Sequence, residues 1–336
     1  MDANWKLPAA GHINYVHRIL SAVVIGIAVL VVVRLLQKPA HVLSLTGKGP
    51  SCKSILFLVT FNRPFYGNVQ LLRRLYSPVA GKLVFYGPVR NVSSGVRQMK
   101  DTHHGFMQQL TIAQAWRENP GHDGILWLAD DLFVNVPLIF ADSRFNWERT
   151  WLWEQTTPLI SFCEGAAVTM TLDHLTTKVW PKGNPYVYES DKDAGTLQTC
   201  WRRDLPERFR KRQIQLFKEE RLFKHGADFG YIPKHLMGEF LAVVNVPTLS
   251  GISFETFLPT VQRLLSSSAS DVIGWNGRYF WHGECPRWQS QFDCKQHHFM
   301  HPVKLSSQEN RDAVQNLSCS PLWLSKREIK RAMGCS

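Results

Sequence analysis

The chain has 336 residues, 39 Lys and Arg against 27 Asp and Glu, a net charge of +12, and 44% hydrophobic side chains. That apolar fraction excludes a disordered polyelectrolyte and is ample for a sizeable core. Seven cysteines at scattered spacings fit no zinc-ribbon pattern and suit an oxidising compartment, with up to three disulfides.

At the N-terminus, residues 19–36 form an apolar run between Arg18 and the polar segment that starts at Gln37. With Arg34 snorkelling, about 18 residues are enough for a short membrane span. A long polar lead and no small-x-small site directly after the run favour an uncleaved signal anchor; the alternative is a cleaved signal peptide. Residues 1–18 then form a cytoplasmic tail and 37–52 a stem marked by Pro39, Gly47, Gly49 and Pro50. Positive charges flank the span on both sides and do not set its orientation. The sequons Asn91-Val92-Ser93 and Asn316-Leu317-Ser318 place 53–336 in the lumen if they are used. A membrane anchor also argues against a nucleic-acid partner.

Beyond the stem, Ser54 to Phe61 is a continuous apolar run and reads as a buried strand. Helical spacing follows from Gly67 to Tyr76, a strand over Lys82 to Tyr86, a helix over His104 to Glu118, a strand over Ile125 to Ala129 and another over Pro158 to Phe162. The β-α-β-α-β order predicts an α/β fold, a mostly parallel sheet flanked by helices. Neither GxGxxG after the first strand nor GxxxxGK[ST] occurs, which disfavours dinucleotide and P-loop sites. The basic stretch Arg202 to Lys224 reads as amphipathic helix, with a solvated face or a docking surface for an anionic ligand.

Asp130 and Asp131 follow the apolar strand directly. Adjacent carboxylates beside a core are costly unless a cation lies between them, and the ends of strands are where open α/β sheets hold ligands. The pair predicts a Mg²⁺ or Mn²⁺ site serving a nucleotide; the plainer alternative is a helix cap and a solvated acid.

Leu128-Ala129-Asp130-Asp131-Leu132-Phe133-Val134 is similar to the acidic segment of fringe-type transferases, with one aspartate fewer and Leu132 where threonine is common. With the anchor, stem and α/β domain, the chain resembles Golgi type II glycosyltransferases of the GT-A fold. The motif-level resemblance covers the nucleotide half, 53–140; beyond it, 141–336 would be the acceptor half. It implies a metal-bound nucleotide sugar, a UDP-sugar by preference, passed to a glycan or protein hydroxyl. It implies that Thr60, Phe61, Asn62 and Arg63 contact base and ribose, and that Asp130 and Asp131 hold Mn²⁺ against the diphosphate. A C-terminal histidine commonly completes such a site. His301 is preferred over His282, His297 and His298, the last two expected at the surface, and Lys304 would reach the diphosphate.

An inverting transfer also needs a base. Glu255, the only charge between Phe240 and Gln262, is the first candidate, with a helix N-terminal acid as the alternative role. Asp228 is the second, on a Gly-flanked loop; Glu239 and Asp271 rank below. Trp275, Tyr279, Phe280, Trp281 and Trp288 would supply a sugar-stacking platform or core packing. Cys285, Cys294, His297, His298 and His301 have no standard zinc spacing, and a Cys285–Cys294 disulfide is preferred. Two other readings remain: a GT-A-derived membrane protein without transfer activity that binds a glycan, lipid or partner enzyme, and a lumenal hydrolase, for which no GxSxG is present. The donor sugar, acceptor, stereochemistry and oligomeric state are not readable.

Overall fold

The computed structural model describes residues 53–99, 108–153, 159–160, 167–168, 201, 203–217, 223, 226–246, 249, 254–268, 271–280, 288–317 and 325–332. The expected tail, span and stem lie outside them. Among the described residues no helix is long and apolar enough to cross a membrane.

Strands β1 (Ile55–Thr60), β2 (Lys82–Gly87), β3 (Val96–Gln98) and β4 (Gly124–Ala129) alternate with helices α1 (Val69–Tyr76) and α2 (Gln108–Glu118). After β5 (Phe133–Val134) and α3 (Val136–Ala141) come β6 (Thr150–Trp153), β7 (Leu159–Ile160) and β8 (Ala167–Val168). The rest of the chain gives α4 (Glu207–Phe217), β9 (Phe229–Pro233), α5 (Lys234–Val244), α6 (Phe254–Leu265), β10 (Val272–Trp275), β11 (Gly277–Phe280), β12 (Phe299–His301), α7 (Gln308–Asn316) and α8 (Lys326–Ala332).

A seven-stranded sheet has the order β10-β6-β9-β4-β1-β2-β3. All its pairings are parallel except those of β9 with β4 and β6. The expected α/β class and mostly parallel sheet are therefore present, and the sheet takes strands from both sides of residue 140. β1 and β4 are buried along their whole length because both faces are covered. Ile55, Phe57 and Val59 pack on one side with Leu72 and Tyr76, while Leu56 and Leu58 pack on the other with Ile112 and Phe257. This two-sided burial is why these strands read as unbroken apolar runs.

A second sheet has the order β5-β12-β11-β7-β8. The strand expected near Pro158 to Phe162 is β7, and it belongs to this sheet rather than the first. Strand β12 pairs antiparallel with β5, Phe299 opposite Val134 and Met300 opposite Phe133. Because β5 begins two residues after Asp131, this register brings the end of β12 back toward the end of β4.

Aromatic rings cover glycines at the strand crossings. Gly230 lies opposite Trp127, and a Cβ at 230 would fall inside that indole. Gly277 lies opposite Phe299 with the same relation. Trp127 also donates from Nε1 to the Ala227 carbonyl at 2.9 Å, so its ring has no room to retreat. Gly230→Ala is expected to cost about 1–3 kcal/mol through overpacking, seen as a lowered urea midpoint with an unchanged m-value.

Candidate active site

In the seven-stranded sheet the chain runs from β1 outward to β2 and β3, then returns to place β4 on the other side of β1. The carboxyl ends of β1 and β4 are thus a topological switch point, the crevice where such sheets bind ligands. Thr60 and Ala129 pair across this end, and the Asp130 N–H donates to the Thr60 carbonyl at 2.9 Å. Asp130 and Asp131 therefore leave the sheet at the crevice.

Two other segments reach the same point. Strand β9 runs antiparallel to β4 with Phe229 opposite Leu128, so Asp228, one residue earlier, lies beside Ala129. The Ala129 N–H donates to the Asp228 carbonyl at 2.8 Å. From the second sheet, His301 ends β12 and Val303 follows it. The Val303 N–H donates to the Asp131 carbonyl at 2.5 Å.

His301 Nε2 stands 3.2 Å from Asp131 Oδ1 and 3.9 Å from Asp228 Oδ2. Lys304 Nζ donates to Asp131 Oδ2 at 2.6 Å. Asn68 Nδ2 lies 3.4 Å from both the carbonyl and Oδ2 of Asp130. The sequence thus places two carboxylates, one imidazole and one ammonium at a single point, with Asp130 just beside it.

Burial and the neighbouring Asp131 charge push the Asp130 carboxyl above its ordinary range. Burial also works to raise Asp131, but His301 and Lys304 outweigh it and hold Asp131 well below. Asp228 is raised, first by burial and then by Asp131. Burial pulls His301 down, yet the Asp228 and Asp131 carboxylates prevail and raise it. Two neighbouring acids with environments that push them apart are a common mark of a functional site.

The other expected residues fall in different places. Thr60 and Phe61 are sealed in the core, so their side chains offer no surface to a ligand. The Thr60 hydroxyl lies 3.4 Å from the Leu128 carbonyl, and the Phe61 ring meets Tyr66 edge-on at 5.1 Å. Asn62 and Arg63 follow at the rim, Asn62 partly buried and Arg63 exposed.

Glu255 sits in the first turn of α6, the helix-end position named as its alternative. Gln262 of α6 donates to the Trp151 carbonyl, and Ser266 meets Thr150 at the start of β6. The helix therefore runs against β6 and carries Glu255 toward the crevice end of the sheet. Among the described residues no hydrogen bond or ion pair joins Glu255 to Asp131, Asp228 or His301. Glu239 is bound to Arg212, and Asp271 holds Ser267 and the Ser268 N–H.

One expectation needs correction. His297 and His298 are buried rather than superficial, because the turn 293–298 is folded under Asn135, whose Nδ2 donates to the carbonyls of Cys294 and His297. His297 Nδ1 accepts from the Asp293 N–H, and burial holds this imidazole down at about 4. Cys294 is disulfide-bonded, which removes the thiolate that a zinc site there would need; its partner lies outside the described residues. Trp275 and Trp288 are core residues, Trp275 crossing Trp151 at 5.7 Å and Trp288 donating to Asn310, so neither forms a sugar platform. Tyr279 and Phe280 lie in β11, and Trp281 lies outside the described residues.

Sequence reasoning missed Asn68. It reads as part of an amphipathic helix, and only the fold shows its amide turned to Asp130. Asp228 is the second candidate base in the sequence, and the fold sets it 3.9 Å from His301. The signal was available in its position just before the apolar strand Phe229 to Ile232, but the antiparallel direction of that strand was not legible.

Among the described residues no group of three or more His, Cys, Asp or Glu side chains is arranged to hold a metal ion. The donor types present nonetheless suit a hard divalent ion held by one or two carboxylates and completed by substrate phosphates. The converging atoms of Asp131, His301 and Asp228 fit that incomplete set. Lys304 occupies part of the same space with its own positive charge.

The chain matches no protein-family model, and no curated protein or solved structure is similar to it.

One titration reports directly on this cluster. A His raised by carboxylates stabilises the fold while it is protonated, fully below its unfolded value, and that contribution fades as pH rises through the raised one. Asp131→Asn and Asp228→Asn are each expected to lower the His301 titration midpoint, followed by NMR of its imidazole protons.

Proposed function

We propose that this protein is a Golgi type II, GT-A-like glycosyltransferase that binds a metal-complexed nucleotide sugar, a UDP-sugar by preference, and transfers the sugar to a glycan or protein hydroxyl. The observation that carries the reading is the meeting of Asp131, His301 and Asp228 at the β1/β4 switch point. The resemblance implied metal roles for Asp130, Asp131 and His301; of these, Asp131 and His301 lie in the cluster, Asp130 stands beside it, and Asp228 joins in its place. The disulfide at Cys294 supports a lumenal site for the domain.

In this reading Asp131, His301 and Asp228 would hold Mn²⁺ or Mg²⁺, which when bound offsets the charge of the leaving nucleotide diphosphate. Asp130, whose carboxyl is pushed upward by burial and by its neighbour, would stand beside the ion as a further oxygen donor. Lys304 would turn from Asp131 to a phosphate oxygen. Asn62, partly buried, and Arg63, exposed, both just past the end of β1, would line the nucleoside side of the crevice. Glu255, in the first turn of α6, would be the base for the acceptor hydroxyl, with Asp228 as the second candidate.

A second reading has one specific observation in its favour. Lys304 already neutralises Asp131 at 2.6 Å, so the acid has a cation partner without any metal. A GT-A-derived Golgi protein that binds a glycan, lipid or partner enzyme without transferring sugar would need no more.

Titration calorimetry of residues 53–336 with UDP, GDP and CMP, with and without Mn²⁺, separates the two. Mn²⁺-dependent binding of one nucleotide that is lost in Asp131→Ala is the expected result; no binding in a folded sample would favour the non-catalytic protein. Lys304→Ala is expected to tighten Mn²⁺ binding in the absence of nucleotide, because a competing cation is gone, as read by electron paramagnetic resonance. With Mn²⁺ saturating, the same change is expected to weaken UDP by about tenfold, the size of one lost charge-assisted hydrogen bond.

A further inference from the structure

The segment between β2 and β3 closes on itself before the edge strand begins. Asn91 and Val96 exchange both backbone hydrogen bonds, at 3.0 and 2.9 Å, and the Gly95 N–H donates to the Val92 carbonyl at 3.2 Å. Gly95 takes φ +75°, a conformation that favours glycine. The resulting turn lifts Val92 and Ser93 into solvent, with Val92 76% exposed. Arg73 of α1 fixes it from below through the Ser94 carbonyl at 3.2 Å.

Within this turn the two ends of the Asn91 amide are treated differently. Its Oδ1 accepts from the Ser93 hydroxyl at 2.8 Å and from the Ser94 N–H at 3.0 Å. Its Nδ2 makes no hydrogen bond among the described residues. Two donors on the oxygen polarise the amide, and the nitrogen is left open on the rim. Both contacts span three residues or fewer in sequence, so they form locally and do not wait for the domain to fold.

A second observation concerns what surrounds the turn. Among the described residues, four large apolar side chains are exposed: Phe65, Val89, Val92 and Ile214. Three of them, Phe65, Val89 and Val92, lie on the chain segments that meet near this turn. Val92 follows Asn91 and Val89 precedes it by two residues. Phe65 adjoins Tyr66, whose hydroxyl accepts from the Val89 N–H at 3.2 Å and donates to the Val89 carbonyl at 2.5 Å. Such a patch on an edge invites association unless something polar covers it.

We propose that Asn91 carries an N-linked glycan and that its first sugars cover the Phe65, Val89 and Val92 patch. The inference rests on the lumenal placement of residues 53–336 proposed above. The reaction draws on an oligosaccharide carried by a polyprenyl diphosphate and on the cell's transferring enzyme. Asn91 Nδ2 bonds to the anomeric carbon, the bond from that carbon to the diphosphate oxygen breaks, and the amide proton passes to a base of that enzyme as the lipid diphosphate leaves. The second sequon differs: Asn316 is the last residue of α7, and Ser318 lies outside the described residues.

The test is expression of the full chain in animal cells with removal of N-glycans by an amidase, read by gel shift and by the Asn-to-Asp mass change at residue 91. Wild type is expected to shift and to show the mass change. Asn91→Gln and Ser93→Ala are each expected to lose one glycan's increment, Asn316→Gln to leave the Asn91 mark intact, and Ser93→Thr to retain it. Conversion of Asn91 is also expected to increase self-association in light scattering. A control variant, Ala141→Asn with Ser143→Thr, creates a sequon over positions 141–143, whose first and last residues are exposed. If that position is glycosylated and Asn91 is not, the proposal is overturned while the lumenal placement stands. If neither is modified, both fall together.

Discussion

Asp131 is held at three points by one short stretch of chain. Its carbonyl accepts from Val303, one carboxylate oxygen faces His301, and the other faces Lys304. The stretch 301–304 is about 170 residues away in sequence. An ionised acid at a crevice lined by core residues is tolerable because these partners repay its lost hydration. Remove them and the end of β4 would carry two uncompensated carboxyl groups. The pairing of β5 with β12 is what delivers the partners, so the second, smaller sheet acts as the support of the site more than as a core of its own.

The same clasp explains the unequal characters of the two aspartates. Asp131 takes both cations and stays charged, whereas Asp130 receives only the long contacts from Asn68 and the repulsion of its neighbour. Adjacent residues of one chemical type thus acquire opposite tendencies from geometry alone. In the proposed transferase, Asp131 is the anchor for positive charge and Asp130 the acid more readily protonated. His301 is poised between Asp131 and Asp228 and ties the two antiparallel elements, β9 and β12, to the end of β4.

The parts of this arrangement were unequally legible in the sequence. Strands β1, β2 and β4 could be read because burial on both faces leaves continuous apolar runs such as Ile55 to Thr60. The acid pair stood out for the same reason, being polar where such a run stops. The second sheet was largely hidden, since β5, β7 and β8 have two residues each and show no period. His301 and Lys304 were found only through the family resemblance; nothing in Phe299-Met300-His301-Pro302 declares that it pairs with Phe133 and Val134. Glu255 attracted notice as a lone charge in an apolar stretch, a pattern that a helix's first turn produces without any catalytic demand. Burial of His297 and His298 was missed because their partners, Asn135 and Asn276, are distant in sequence.

The direction in which the clasp is assembled has a bearing on synthesis of the chain. The acid pair leaves the ribosome about 170 residues before the residues that neutralise it. Until they emerge, the carboxyl end of β4 has no counter-charge and β5 has no neighbour with which to pair. A chain cut short before residue 299 would therefore retain most of its strands yet expose an unquenched acidic edge. That difference gives a quality-control system something concrete to recognise, and it makes synthesis through Lys304 a condition for the site to exist.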